Sequence, residues 1–183
     1  TYKKSNIAAS LRPVVARALV TMTKPGPKDV FLDPMCGAGT LLIERGECGR
    51  YQQLLGGDIR PEALTAARSN IGPRYKPIEL RSWNACDLPI ETGSVNSIAC
   101  NLPFGNKVGQ RSELADLYAG FVPEARRVLV SGAAAVLLRA DQLEHCPVAA
   151  LVVSDPYMAY ARVSRHFDTA PVAPPGVHPS AVV

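Results

Sequence analysis

No apolar run in this chain approaches the roughly 18 residues that a membrane-spanning helix needs, and the opening Thr1-Tyr-Lys-Lys-Ser-Asn6 lacks the apolar core of a secretory leader. The expectation is a soluble, cytoplasmic protein with no membrane partner. Cysteine is sparse and unpatterned. The five residues, Cys36, Cys48, Cys86, Cys100 and Cys146, are odd in number and include no Cys-x-x-Cys pair, which argues against a disulfide framework and against a zinc site. No metal is expected. Histidine is rarer still: His145, His166 and His178 all lie in the last quarter of the chain and read as surface or core residues. No block of five like charges occurs, and 20 Lys+Arg against 16 Asp+Glu leave a net charge of +4. That balance is compatible with a polyanionic substrate and equally with an ordinary solvated surface.

What is present fits one α/β domain, since 183 residues with 47% hydrophobic content lie within the usual size of about 100 to 200 residues. The domain is expected over residues 1–170. Pro171, Pro174, Pro175 and Pro179 mark residues 171–183 as an extended tail. The chain is organised around Val30-Phe-Leu-Asp-Pro-Met-Cys-Gly-Ala-Gly-Thr40, where an apolar strand meets an acid, a Gly-rich turn and a new helix. Gly37 and Gly39 let the backbone turn sharply and approach a ligand closely, and the following helix N-terminus offers unpaired N–H groups. A P-loop would need Gly-Lys-Ser/Thr, and a dinucleotide fingerprint would need a third glycine where Leu42 stands. Both are disfavoured.

Around this hub the periodicity predicts a helix over 6–22, with Ser10 as a cap and Leu11, Val14, Val15, Ala18, Leu19 and Met22 on its apolar face. Strands follow over 29–33 and 54–58, with a helix between them from Thr40 to about Cys48. Asp58 falls 25 positions beyond Asp33. That is the length of a strand, turn and helix, so the two acids should share one edge of adjacent parallel strands. An acid at the end of the second strand accepts hydrogen bonds from both ribose hydroxyls of an adenosine moiety, and Asp58 is assigned that role. A helix from Arg60 to Asn70, strands over 78–83, 97–101 and 133–138, and a long helix that Pro123 should bend or interrupt complete the pattern. Segments 148–154 and 158–167 could form a closing antiparallel pair.

The second informative stretch is Asn101-Leu-Pro-Phe-Gly105, at the end of a strand. The Asn101 side-chain oxygen and the Leu102 carbonyl can each accept from an exocyclic amino group, steering its lone pair toward an incoming electrophile. Pro103 holds the turn, and Phe104 can stack on a base, a contact worth about 1–3 kcal/mol. Transfer of a carbon group to such a nitrogen is an in-line displacement, so positioning the nitrogen at about 3–3.5 Å accounts for much of the catalysis and no strong base is needed. Cys100 should face away from Asn101 by strand alternation, which argues against a thiolate nucleophile.

The Asp33-Pro-Met-Cys-Gly-Ala-Gly-Thr40 form resembles motif I of class I S-adenosylmethionine-dependent methyltransferases. Together with Leu11-Arg-Pro13, Gly57-Asp58, Trp83-Asn-Ala-x-x-Leu-Pro89, Asn101-Leu-Pro-Phe-Gly105 and Leu117-Tyr118, it resembles the catalytic domain of the THUMP-associated transfer-RNA guanine-N2 methyltransferases over residues 2–139. The resemblance implies a Rossmann-like, seven-stranded, mostly parallel sheet between helices, S-adenosylmethionine as methyl donor, and N2-methylguanosine in tRNA as product. It also implies that Leu11, Asp33, Pro34, Met35, Cys36, Gly37, Gly39, Thr40, Asp58, Ile59, Asn84, Ala85 and Asn101 line the cofactor, with Leu11 against its methionine part. Asn84 stands where that family usually has Asp, and Asp87 is a competing contact for the adenine. The family's amino-terminal RNA-binding domain has no counterpart in this sequence, so RNA binding is expected to need a separate domain. The same pocket logic would serve DNA adenine or a glutamine side chain, and an inactive cofactor-binding scaffold is a further alternative.

Overall fold

The computed structural model describes residues 11–103, 111–130, 135–138 and 149–152, giving the backbone alone for 111–115 and the last two stretches. The candidate residue Phe104 lies outside them, as do Ser10, Cys146, the three histidines, residues 158–167 and the tail. Four strands, β1 (Val30–Asp33), β2 (Gln53–Asp58), β3 (Ile78–Ser82) and β4 (Ser97–Ile98), form one parallel sheet in the order β3-β2-β1-β4. Helices α1 (Pro13–Met22), α2 (Thr40–Glu47), α3 (Pro61–Ile71) and α4 (Arg111–Val128) accompany it. Buried Phe31, Leu42, Ile43, Leu54, Leu64 and Ile71 join strands and helices in one core. Leu32, Trp83, Leu88, Val95 and Val128 form a second, and Ala85, Leu102, Tyr118 and Phe121 a third.

Some expectations are refined. Helix α1 buries its predicted face only in part: Ala18 is inside and Leu11 and Leu19 pack against the core, but Ala16 and Val20 are inside as well, whereas Val14 and Met22 are 56% and 57% exposed. Its rotation is set by Arg17, whose guanidinium reaches Glu44 Oε2 on α2 at 2.8 Å and Cys48 Sγ at 3.1 Å, while small Ala16 lets the two helices approach. Of the bend or interruption expected at Pro123, the interruption does not occur, and α4 runs through it as one helix. Pro123 and Ala119, whose carbonyl loses its partner, both lie on the exposed side, where water can satisfy that oxygen.

Beyond α4, Leu129 makes one parallel bridge to Val95, and among the described residues β5 (Ala135–Leu138) and β6 (Ala149–Val152) pair with each other, in parallel, as a separate two-stranded sheet. The antiparallel partner expected for 148–154, residues 158–167, lies outside the described residues, and of the seven strands the resemblance implies, four form the main sheet among the described residues.

A buried cation braces the approach to β1. Arg45 on α2 is 0% exposed; its guanidinium donates to Gly26 O at 2.7 Å, Asp29 Oδ2 at 3.2 Å and Arg50 O at 3.4 Å, and lies 5.7 Å from the centre of the Tyr51 ring. These partners make burial of the charge tolerable.

Candidate functional site

The site forms where β1 and β2 end. Asp33 and Asp58 are the last residues of adjacent parallel strands, as their spacing predicts. Between them the glycine bend is held by hydrogen bonds from several sides. Cys36 N donates to Gly57 O at 2.8 Å, Gly37 N to Asp58 Oδ2 at 3.0 Å, and Gly39 N to Cys36 O at 2.8 Å. Trp83 Nε1 donates to Pro34 O at 2.9 Å, and Asn70 Nδ2 on α3 to Ala38 O at 3.0 Å. Gly37 and Gly39 adopt φ of 53° and 78°, in the left-handed region that disfavours a side chain. A Cβ on Gly39 would also stand 3.0 Å from Ile71 Cδ1 and 3.3 Å from Ala67 Cβ, so the bend and α3 require this glycine.

Sequence reasoning left the supports of this bend unnamed. Trp83 and Asn70 were legible only as members of a strand end and a helix end, because nothing in the linear order indicates which carbonyls they reach. The Gly56-Gly57 pair is explained by the same packing. A Cβ on Gly57 would lie 2.1 Å from Trp83 Cε2, and one on Gly56 would lie 2.4 Å from Leu42 Cδ1.

The electrostatics at Asp33 fit a ligand that carries a cation. Asp33 is 2% exposed, and its Oδ1 is buried without a hydrogen-bond partner. Burial pushes the Asp33 carboxyl well above the usual range and the Asp58 charge adds to this, against a hydrogen bond from the Met35 amide. A cationic ligand group would relieve both the orphaned oxygen and the cost of ionisation. Ile59, next to Asp58, is 67% exposed and offers an apolar surface on which a purine face can rest. The two features together suit a ligand with a cationic group and a flat apolar face.

The remaining predicted residues fall as follows. Pro34, Cys36 and Thr40 are buried in or beside the bend, Met35 is half-buried, and Leu11 packs against the first core. Asn84 and Asp87 are exposed and bridged to each other. Asn84 Oδ1 accepts from Cys86 N at 3.0 Å, leaving one lone pair of that oxygen for an outside donor. Ala85 and Leu102 lie in the same core as Tyr118. The Tyr118 hydroxyl donates to Pro103 O at 2.8 Å and so ties α4 to the Asn101-Leu-Pro103 turn. Cys100 packs against that core, and burial pushes its thiol well up, as burial also does for Cys36; neither is a ready thiolate. Among the described residues no three His, Cys, Asp or Glu side chains gather as a metal site, and no helix is long and apolar enough to cross a membrane.

Residues 1–153 match the family model described as UPF0020: RMKL-like, methyltransferase domain. The chain is 33% identical over 147 residues to the bovine (Bos taurus) tRNA (guanine(6)-N(2))-methyltransferase THUMP3, covering 73% of this chain and 29% of that protein. It is 33% identical over 141 residues to the bovine U6 snRNA (guanine-N(2))-methyltransferase THUMPD2, covering 75% of this chain and 27% of that one. The chain thus spans under a third of the length of these curated relatives. Among solved structures it resembles TrmN from Thermus thermophilus with a TM-score of 0.60 and 28% identity, over 70% of this chain and 38% of that one. A shorter stretch has different relatives: 62 residues are 60% identical to UDP-3-O-acylglucosamine N-acyltransferase from Pseudomonas fluorescens, covering 33% of this chain and 18% of that enzyme.

Proposed function

Since the chain belongs to the UPF0020, RMKL-like methyltransferase domain family, we propose that it transfers a methyl group from S-adenosylmethionine to the exocyclic N2 of guanosine in tRNA or another structured RNA. The observation that carries this reading is the pairing of two sites on one sheet edge. One is the braced glycine bend with Asp58 beside it, and the other is the Asn101-Leu-Pro103 turn held by Tyr118. The names of the relatives support RNA guanine as the acceptor. Binding to RNA through a separate amino-terminal domain is part of the same proposal.

In this reading Asp58 receives the ribose, Ile59 supports the adenine, Asn84 or Asp87 meets its amino group, and Asp33 meets the ammonium. S-Adenosylmethionine supplies an electrophilic methyl carbon on a positively charged sulfur. Asn101 Oδ1 and the Leu102 carbonyl each accept a hydrogen bond from the guanine amino group, turning its lone pair toward that carbon. Phe104 would stack on the base. Asn101 has no basic site to take a proton; the methylated nitrogen loses its proton to water after the C–S bond has broken and the electron pair has passed to sulfur. The chain's contribution is alignment, and effective concentration supplies most of the acceleration.

The test is to incubate the protein with radiolabelled cofactor and tRNA, digest to nucleosides and separate them. Label in N2-methylguanosine supports the proposal, whereas label confined to adenine or to protein overturns the choice of acceptor.

The separate β5–β6 sheet favours a second assignment, that the methyltransferase unit ends near Val130 rather than at residue 170. The family match nevertheless runs to residue 153. Limited proteolysis with mass spectrometry separates the two boundaries. A resistant fragment ending shortly after Val130 that still binds cofactor supports the earlier one, and a core extending past Val152 refutes it.

A further inference from the structure

The acid assigned to the ribose is already saturated. Asp58 has a side chain only 5% exposed, and each carboxylate oxygen holds two donors. Oδ1 accepts from Arg60 N at 3.0 Å and Arg60 Nε at 3.1 Å; Oδ2 accepts from Gly37 N at 3.0 Å and Arg60 Nη2 at 3.3 Å. A carboxylate offers about four lone-pair positions, and all four are taken. The two amide donors belong to the fixed frame, one in the glycine bend and one at the cap of α3, with Pro61 opening the helix behind it. The two guanidinium donors do not. Arg60 is 37% exposed on its side chain, and its charged group can turn into water with no backbone change.

Resting on the reading of this site as an adenosyl pocket, we propose that Arg60 competes with the ribose diol for Asp58 and so tunes affinity for the nucleoside part of the cofactor. Two hydroxyls need two acceptor positions on Asp58, and only the guanidinium can vacate them. Binding therefore includes the opening of the Arg60–Asp58 ion pair. The pair is partly exposed, and exposed pairs are weak and weakened further by salt. Removing the guanidinium is expected to tighten binding about two- to fivefold, the range set by the opened pair. Adenosine is a useful probe because it is uncharged and carries the diol. Its affinity for the wild-type protein rises with ionic strength, because salt loosens Asp58 from Arg60 and acts on no charge of the ligand.

The experiment is calorimetric titration of adenosine and S-adenosylhomocysteine into the wild type, Arg60→Gln, Arg60→Lys and Asp58→Asn, at low and at high sodium chloride. The proposal expects Arg60→Gln to bind both ligands more tightly with no salt dependence for adenosine, Arg60→Lys to fall between, and 2′-deoxyadenosine to show a smaller gain. Equal or weaker binding by Arg60→Gln, with Asp58→Asn still losing binding, overturns the Arg60 role and leaves the adenosyl pocket standing. If wild type and Arg60→Gln alike bind neither ligand, the pocket assignment itself fails and the proposal with it. The salt response of the wild type is independent of any variant's folding, and a flat or falling adenosine affinity also overturns the proposal.

Discussion

Gly57→Ala isolates the packing beneath the glycine bend. Gly57 does not have a positive φ, so alanine is allowed by the backbone and its whole effect is steric. The new methyl would stand 2.1 Å from Trp83 Cε2 and 2.4 Å from Trp83 Nε1, so the indole must move, and in moving it releases Pro34 O. Overpacking costs about 1–3 kcal/mol and the lost hydrogen bond about 1 kcal/mol, giving an expected destabilisation of roughly 2–4 kcal/mol. With a urea m-value of about 2 kcal/mol/M, a loss of about 3 kcal/mol lowers the midpoint by about 1.5 M. Trp83 is the only tryptophan of the chain, so its emission reports both the unfolding transition and the local displacement. In a Trp83→Phe background, followed by circular dichroism, the cost of Gly57→Ala should shrink, because the smaller ring yields space. A midpoint within about 0.3 M of the wild type, with unchanged emission, would refute the packing argument.

Three further outcomes follow from the same geometry. The Asp33 carboxyl is raised in the folded state, so the native protein holds that proton more tightly than the unfolded chain. Its contribution therefore favours folding below the unfolded value of about 4 and is lost as pH rises from there toward the raised native value. Asp33→Asn should remove that slope in urea titrations across pH and stabilise the ligand-free protein at neutral pH, while weakening S-adenosylhomocysteine binding by calorimetry; an unchanged slope refutes it. Tyr118→Phe removes the donor to Pro103 O and should lower kcat for the proposed RNA methylation several-fold with little change in cofactor affinity, whereas a purely structural tyrosine would move the melting temperature and not kcat. Arg45→Ala leaves Asp29 and two backbone carbonyls without their shared donor, and chemical denaturation should show a loss of about 3–5 kcal/mol.

The parts of the fold legible in the sequence are those in which local chemistry and global packing agree. The Asp33 to Asp58 spacing marked a βαβ unit because a strand, a tight turn and a helix consume a nearly fixed length of chain, and the two acids do end adjacent strands. Glycine conformation was legible too, since Gly37 and Gly39 occupy the φ range that their residue type anticipates. The buried face of α1 was legible only in part, since Ala18, Leu11 and Leu19 face the core and Val14 and Met22 do not. Valine and methionine at helical spacing look alike whether they face a core or solvent, and the deciding interaction, Arg17 with Glu44, joins residues on different helices. That α4 would continue through Pro123 was not legible for a similar reason, because a proline's cost depends on whether the freed carbonyl can reach water. The β5–β6 ladder was out of reach, since apolar runs of strand length carry no mark of their partner. At the site, the Arg60 grip on Asp58 was invisible because sequence assigns an acid to a ligand without saying what holds it beforehand.

The amide of Asn70 gives α3 a part in events at the opposite end of the hub. Its grip on Ala38 O, with Ile71 and Ala67 lying where a Gly39 side chain would be, makes the third helix and the ligand loop one mechanical body. Slowed deuterium uptake on occupancy should therefore extend into the last turns of that helix, which touch no ligand atom, and Asn70→Ala should confine the protection to the loop.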